Sequence, residues 1–154
     1  MNTRHPILHV EDSDADVFLL QYAFKVAGID YPIQNVGDGQ QAIDYISGTG
    51  KFKDRKQYPL PCVVLLDLKL PHVMGLDVLR WIRQESRCKS LIVIVLSSSF
   101  HDKDVERAYS LGANAFLIKP GDVTSFADMC KAISHFWLTY NQAPVMFHAN
   151  MRTL

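Results

Sequence analysis

The chain has 154 residues, 48% of them hydrophobic and 21% charged, with 16 Lys and Arg set against 16 Asp and Glu. That is one domain's length with enough apolar content for a full core, and it is the wrong composition for disorder. The zero formal charge argues against a dedicated nucleic-acid binder, which carries a basic excess. No stretch reaches the roughly 18 consecutive apolar residues of a membrane span. Only four strand-like residues precede Glu11 and Asp12, too short and too soon charged for a secretory signal. Cys62, Cys88 and Cys130 are odd in number and form no CxxC pair, which predicts reduced thiols in a cytoplasmic protein.

In chain order, Ile7 to Val10 reads as a short apolar strand. Asp14 to Ala27 has helical spacing, with Val17, Leu20, Phe24 and Ala27 on one face. Ser13 followed by Asp16 resembles a capping box, and Gly28 is a natural stop. Ile33 to Val36 is a second strand, ended by Gly37-Asp38-Gly39, and Gln40 to Ile46 a short helix. The segment 48–61 carries Lys51, Lys53, Arg55 and Lys56 and reads as a solvated surface loop. Cys62 to Leu66 and Leu91 to Leu96 are apolar throughout, as strands buried on both faces are. Leu76 to Ile82 and Asp104 to Leu111 read as helices, Ala115 to Ile118 as the fifth strand, and Asp122 to Tyr140 as one long last helix. Five strands alternating with five helices predict βαβ units, a parallel sheet and helices on both faces. Ligands then sit at the carboxyl ends of the strands.

The polar residues at those ends are few. Glu11 and Asp12 follow the first strand, Asp67 the third, Ser97 the fourth, and Lys119-Pro120 the fifth. Gathered at one sheet edge, they bring together three carboxylates, a hydroxyl and an ammonium. Carboxylates about 4 Å apart repel by roughly 4 kcal/mol per pair at an effective dielectric of 20. Lys119 offsets part of this, and a hard divalent cation such as Mg²⁺ offsets more. A carboxylate beside such a cation is a nucleophile toward phosphorus, giving an aspartyl phosphate.

These residues resemble the motif set of response-regulator receiver domains over about residues 5–138, and the receiver domain is expected over 5–140. The set comprises the acidic pair Glu11-Asp12, the loop Asp67-x-x-x-Pro71-x-x-x-Gly75, Ser97, and Lys119-Pro120. The spacing of thirty residues from Asp67 to Ser97 and twenty-two more to Lys119 also matches the family. The resemblance implies a flavodoxin-like doubly wound (βα)5 sandwich with a parallel sheet in the order 2-1-3-4-5. It implies that Asp67 accepts a phosphoryl group from a histidine kinase. Glu11, Asp12, Asp67 and the backbone carbonyl of Lys69 would then hold Mg²⁺ or Mn²⁺, Ser97 and Lys119 would bind phosphoryl oxygens, and Phe116 would stand at the aromatic switch position. A narrower resemblance links the chain to the response regulators of bacterial and cyanobacterial phytochromes. It rests on the long insert before the third strand, the run Ser97-Ser98-Ser99, and His135-Phe136-Trp137-Leu138-Thr139. The partner it implies is a phytochrome-type kinase. Output would run through contact with an unidentified downstream protein, residues 141–154 forming a tail with no separate output domain.

Two other readings share parts of the motif. A haloacid-dehalogenase-type phosphohydrolase needs an acid two residues after its nucleophile, where this chain has Lys69. A pseudo-receiver that binds partners without phosphorylation fits poorly with the complete acidic set. His9 reads as a packed strand histidine and His72 as a solvated loop residue. By the same resemblance Lys69 and Ser99 would flank the path of the hydrolytic water, while Ser98 replaces the family's usual tiny residue and Met74 a common polar one. On the last helix Phe126, Cys130, Ile133, Trp137 and Tyr140 share a line that covers the sheet. Met129 and Phe136 widen that apolar arc, and Leu138 and Phe147 extend it toward the tail. This excess predicts a homodimer built on the last helix and strand face.

Overall fold

A computed structural model describes residues 4–144. Five strands, β1 (Ile7–Val10), β2 (Ile33–Val36), β3 (Val63–Leu66), β4 (Ile92–Ser97) and β5 (Ala115–Ile118), form one parallel sheet in the order β2-β1-β3-β4-β5. The helices are α1 (Asp14–Val26), α2 (Gly39–Ser47), α3 (Gly75–Gln84), α4 (Asp102–Ser110) and α5 (Val123–Ile133). β1, β3 and β4 are buried along their whole length, which is why they lack the alternation of a half-buried strand. Period-two packing divides the core in two. Leu8, Val10, Val64, Leu66, Val93 and Val95 meet α2, α3 and α4, while Ile7, Val63, Leu65, Ile92, Ile94 and Leu96 meet α1 and α5. Among the described residues no helix is long and apolar enough to cross a membrane.

The insert between α2 and β3 is more than a solvated loop. Phe52, on a 3-10 turn at Gly50–Phe52, is 5% exposed and packs against Tyr45 and Tyr58, with ring centroids 5.1 Å away in each case. The Arg55 guanidinium donates to the carbonyls of Tyr45 (2.7 Å), Ile46 (2.7 Å) and Tyr58 (3.2 Å). The Ile46 carbonyl lies in the last turn of α2, where intrahelical donors run out, and the Tyr45 carbonyl also accepts the Gly48 N–H at 3.2 Å. One residue of the basic run is therefore a structural clamp, while Lys51, Lys53 and Lys56 are exposed.

The last helix also departs from its sequence pattern. It is α-helical only over α5 and continues as π-helical turns over Ser134–Tyr140. Thr139 Oγ1 donates to the Ser134 carbonyl (3.0 Å) and Asn141 N–H to the Phe136 carbonyl (2.7 Å), both across five residues. The wider turn changes which side chains face inward. Trp137 and Leu138 both pack on the core, with Met129, whereas Tyr140 is 78% exposed instead of covering the sheet. Phe136 alone of the described widening residues stays largely exposed, its ring edge-on to Trp137 at 4.7 Å. Phe147 lies outside the described residues.

Candidate functional site

The strand register assembles the site. Val10 pairs with Leu66 across β1 and β3, and the Val10 carbonyl accepts the N–H of Asp67 at 3.1 Å. Glu11 and Asp67 therefore leave neighbouring strands side by side. Both are buried, and Asp12 beside them is exposed. One carboxylate oxygen from each of Glu11, Asp12 and Asp67 falls within 4.8 Å of the others. At that separation each charged pair repels by roughly 3 kcal/mol at an effective dielectric of 20.

Lys119 is carried in from the sheet edge. Its N–H donates to the Ser97 carbonyl at 2.9 Å, which continues the β4–β5 ladder past Ile118. Its ammonium lies 2.6 Å from Glu11 Oε2, 3.0 Å from Asp16 Oδ2 and 3.6 Å from Asp67 Oδ2. Three carboxylates thus surround one ammonium, and with Asp12 in the acidic cluster the site sets four carboxylates against one cation. Burial pushes the Glu11 carboxyl up, and the charge of Asp67 adds to this while the hydrogen bond from Lys119 opposes it. Burial works against the Lys119 charge, but hydrogen bonds to Glu11 and Asp16 and the charge of Asp67 outweigh it and hold its pKa above the usual lysine range. The charge of Asp67 pushes both groups toward holding their protons, although for Glu11 burial is the larger cause.

Ser97, the last residue of β4, is 1% exposed, and its Oγ accepts the N–H of Ser99 at 3.1 Å. Ser99 is turned aside by donating to Asp104 Oδ2 (3.1 Å), and Ser98 is exposed. Phe116 pairs with Val95 in the sheet and is half-buried against the α2–α3–α4 cluster. Lys69 and His72 are exposed in the loop after β3, where His72 takes a positive φ of 64°. That loop closes through the Gly75 N–H, which donates to the Leu68 carbonyl at 3.0 Å.

The structure therefore gathers Glu11, Asp12, Asp67 and Lys119, and puts Ser97 at the same sheet edge. The donor set of the acidic cluster is all oxygen and carries an excess of negative charge, which fits a hard divalent cation such as Mg²⁺ or Mn²⁺. Sequence reasoning did not identify Asp16 as part of the site. The Ser13-x-x-Asp16 spacing explains its place at the start of α1, but only the fold brings it to Lys119.

The model of the response regulator receiver domain matches residues 7–131. The chain is 38% identical over 138 residues to the "Probable methanogenesis regulatory protein FilR2" of Methanothrix harundinacea, covering 90% of this chain and 86% of that one. It is 36% identical over 132 residues to "Response regulator Rcp1" of Synechocystis, covering 86% and 88%. Among solved structures, response regulator RPA3017 "in red light signaling of R. palustris" superposes with a TM-score of 0.85 at 38% identity, over 90% of this chain and 98% of that one. The phosphorylated cyanobacterial phytochrome response regulator RcpA gives 0.81 at 30% identity, and the Mn²⁺-bound form of Rcp1 gives 0.80 at 34%. Both cover 92% of this chain and 99% of theirs. Receiver domains are signalling modules that bind Mg²⁺ or Mn²⁺ at such an acidic cluster and interact with histidine kinases. Strand order, acidic cluster and these likenesses agree: the chain is a response-regulator receiver, homologous to the regulators associated with phytochromes.

Proposed function

We propose that Asp67 is the phospho-acceptor of a two-component relay and that this chain signals by protein contact in the cytoplasm. A carboxylate oxygen of Asp67 attacks the phosphorus of a phosphohistidine. The new O–P bond forms as the P–N bond breaks, and the imidazole leaves, regaining a proton. The ammonium of Lys119 neutralises charge on the phosphoryl oxygens, and the hydroxyl of Ser97 donates to one of them. Glu11, Asp12, Asp67 and the Lys69 carbonyl would hold Mg²⁺ or Mn²⁺, which neutralises negative charge during the transfer. The observation that carries this reading is the convergence of Asp67, Glu11, Asp12 and Lys119 at one edge of the sheet.

The experiment is phosphotransfer from acetyl phosphate, with Mg²⁺ present and absent. Wild type should form a metal-dependent, hydroxylamine-sensitive acyl phosphate, and Asp67→Asn should form none while keeping its fold. Equal labelling of the two proteins would overturn the assignment.

The kinase we infer is of phytochrome type. Support comes from the red-light role named for RPA3017 and the phytochrome pairing named for RcpA, both at 30% identity or more. A homodimer through the last helix belongs to the same reading, carried by the exposed Phe136, with Met129 and Leu138 supporting it from the core.

A further inference from the structure

The first turn of α1 starts as a capping box and then departs from it. Ser13 Oγ accepts the N–H of Asp16 at 3.3 Å, which is the first half of the motif. In the second half the acidic side chain returns to the N–H of the cap residue. Here that N–H donates to Glu11 Oε1 instead, at 3.2 Å. The Asp16 carboxylate is thereby free to reach across 103 residues and accept from Lys119 Nζ at 3.0 Å.

The ammonium of Lys119 consequently has its two hydrogen bonds on Glu11 and Asp16, and meets Asp67 only as an ion pair at 3.6 Å. Asp16 differs from the other two anions. It stands outside the group of three carboxylates placed to share a cation, and its side chain is 40% exposed. A divalent cation on that group offsets the charge of Glu11 and Asp67 but leaves Asp16 with its pull on Lys119.

We propose that Asp16 is a positioning residue: a counter-anchor that holds Lys119 back from Asp67 until a phosphoryl group competes for the ammonium. This rests on the reading of Asp67 as the phospho-acceptor. A tetrahedral anion on Asp67 draws Lys119 out of its hydrogen bond with Asp16, so the Asp16–Lys119 pair opposes the phosphorylated state. Asp16→Asn keeps the shape of the side chain. It also keeps the cap, which uses the Asp16 backbone N–H.

The test measures binding of beryllofluoride, a phosphoryl mimic, to the intact chain at saturating Mg²⁺. Asp16→Asn should bind it about three- to tenfold more tightly, the range of a charge-assisted hydrogen bond at a partly exposed site. The same substitution in a Lys119→Met background should add nothing, because Asp16 acts through Lys119. Unchanged or weaker binding by Asp16→Asn overturns the proposal. An equal gain in the Lys119→Met background also overturns it, showing general charge relief instead. Wild type that neither binds beryllofluoride nor accepts phosphate from acetyl phosphate overturns the Asp67 reading itself.

Discussion

Gly75 lies against the backbone of Asp67 so closely that a Cβ added there would overlap the Asp67 carbonyl oxygen and stand 2.7 Å from the Leu68 Cα. The site is thus built on a close approach of the loop after β3 to its own beginning, sealed by the Gly75 N–H on the Leu68 carbonyl. Neither obstacle is a flexible side-chain tip, so the backbone itself must move to accept a side chain.

Gly75→Ala should therefore displace the loop that carries Asp67 and Lys69. We expect a loss of about 1–3 kcal/mol in stability, the usual cost of overpacking, together with a fall in phosphate incorporation. Urea unfolding and acetyl phosphate labelling measure the two. A variant with wild-type values for both would show that the loop yields without cost.

Mg²⁺ should stabilise the protein by relieving carboxylate repulsion at Glu11, Asp12 and Asp67. At a hundredfold excess over its dissociation constant the gain is about 2.7 kcal/mol. Asp12 is the exposed member of the cluster, so Asp12→Ala removes a ligand with little disturbance of the core. Thermal unfolding with and without Mg²⁺ should show a large shift for wild type and a much smaller one for Asp12→Ala. Equal shifts would place the cation elsewhere.

His9 gives stability a pH dependence in the acid range. It is 2% exposed on β1, and its Nδ1 has no hydrogen-bond partner among the described residues. Burial, helped by the charge of Lys119 and opposed by Asp16, pushes its pKa down from 6.5 to about 4. The folded state binds this proton less well than the unfolded state. The stability contributed is complete above pH 6.5 and is lost as pH falls toward 4, by at most about 3 kcal/mol. Glu11, with its pKa raised, contributes in the opposite sense as pH falls. The clean measurement is thus the difference between wild type and His9→Leu in chelator. Their stability curves should diverge below pH 6.5, and parallel curves would remove His9 as the cause.

If Phe136 anchors a homodimer, Phe136→Asp should give a monomer that still accepts phosphate, since the ring lies on the last helical turns, away from Asp67's strand end. Analytical ultracentrifugation at tens of micromolar, roughly the regime of moderate self-affinity, reads this directly. Wild type sedimenting as a monomer, phosphorylated or not, would end the dimer reading.

The alternation of apolar runs and amphipathic segments was enough to specify the parallel sheet, because strands buried on both faces leave an unbroken apolar signature that no surface loop imitates. The acidic pair, Asp67, Ser97 and Lys119 were legible for a related reason: in such a sheet the polar residues that end each strand all arrive at one edge. Three features were not legible. The basic run before β3 looks solvated in sequence, yet Arg55 is bound to carbonyls whose position depends on where α2 ends. Residues 134–140 keep an apolar period close to that of an α-helix, and only hydrogen bonds across five residues distinguish the wider turn that turns Tyr140 outward and Leu138 inward. Asp16 follows a local rule for helix starts, whereas its partner lies 103 residues away. Local pattern fixes backbone type and strand ends, since those depend on neighbours in the chain. Which carboxylate shares an ammonium depends on the sheet bringing the residue after β5 to the first turn of α1, and that exists only once the sheet has closed around its core.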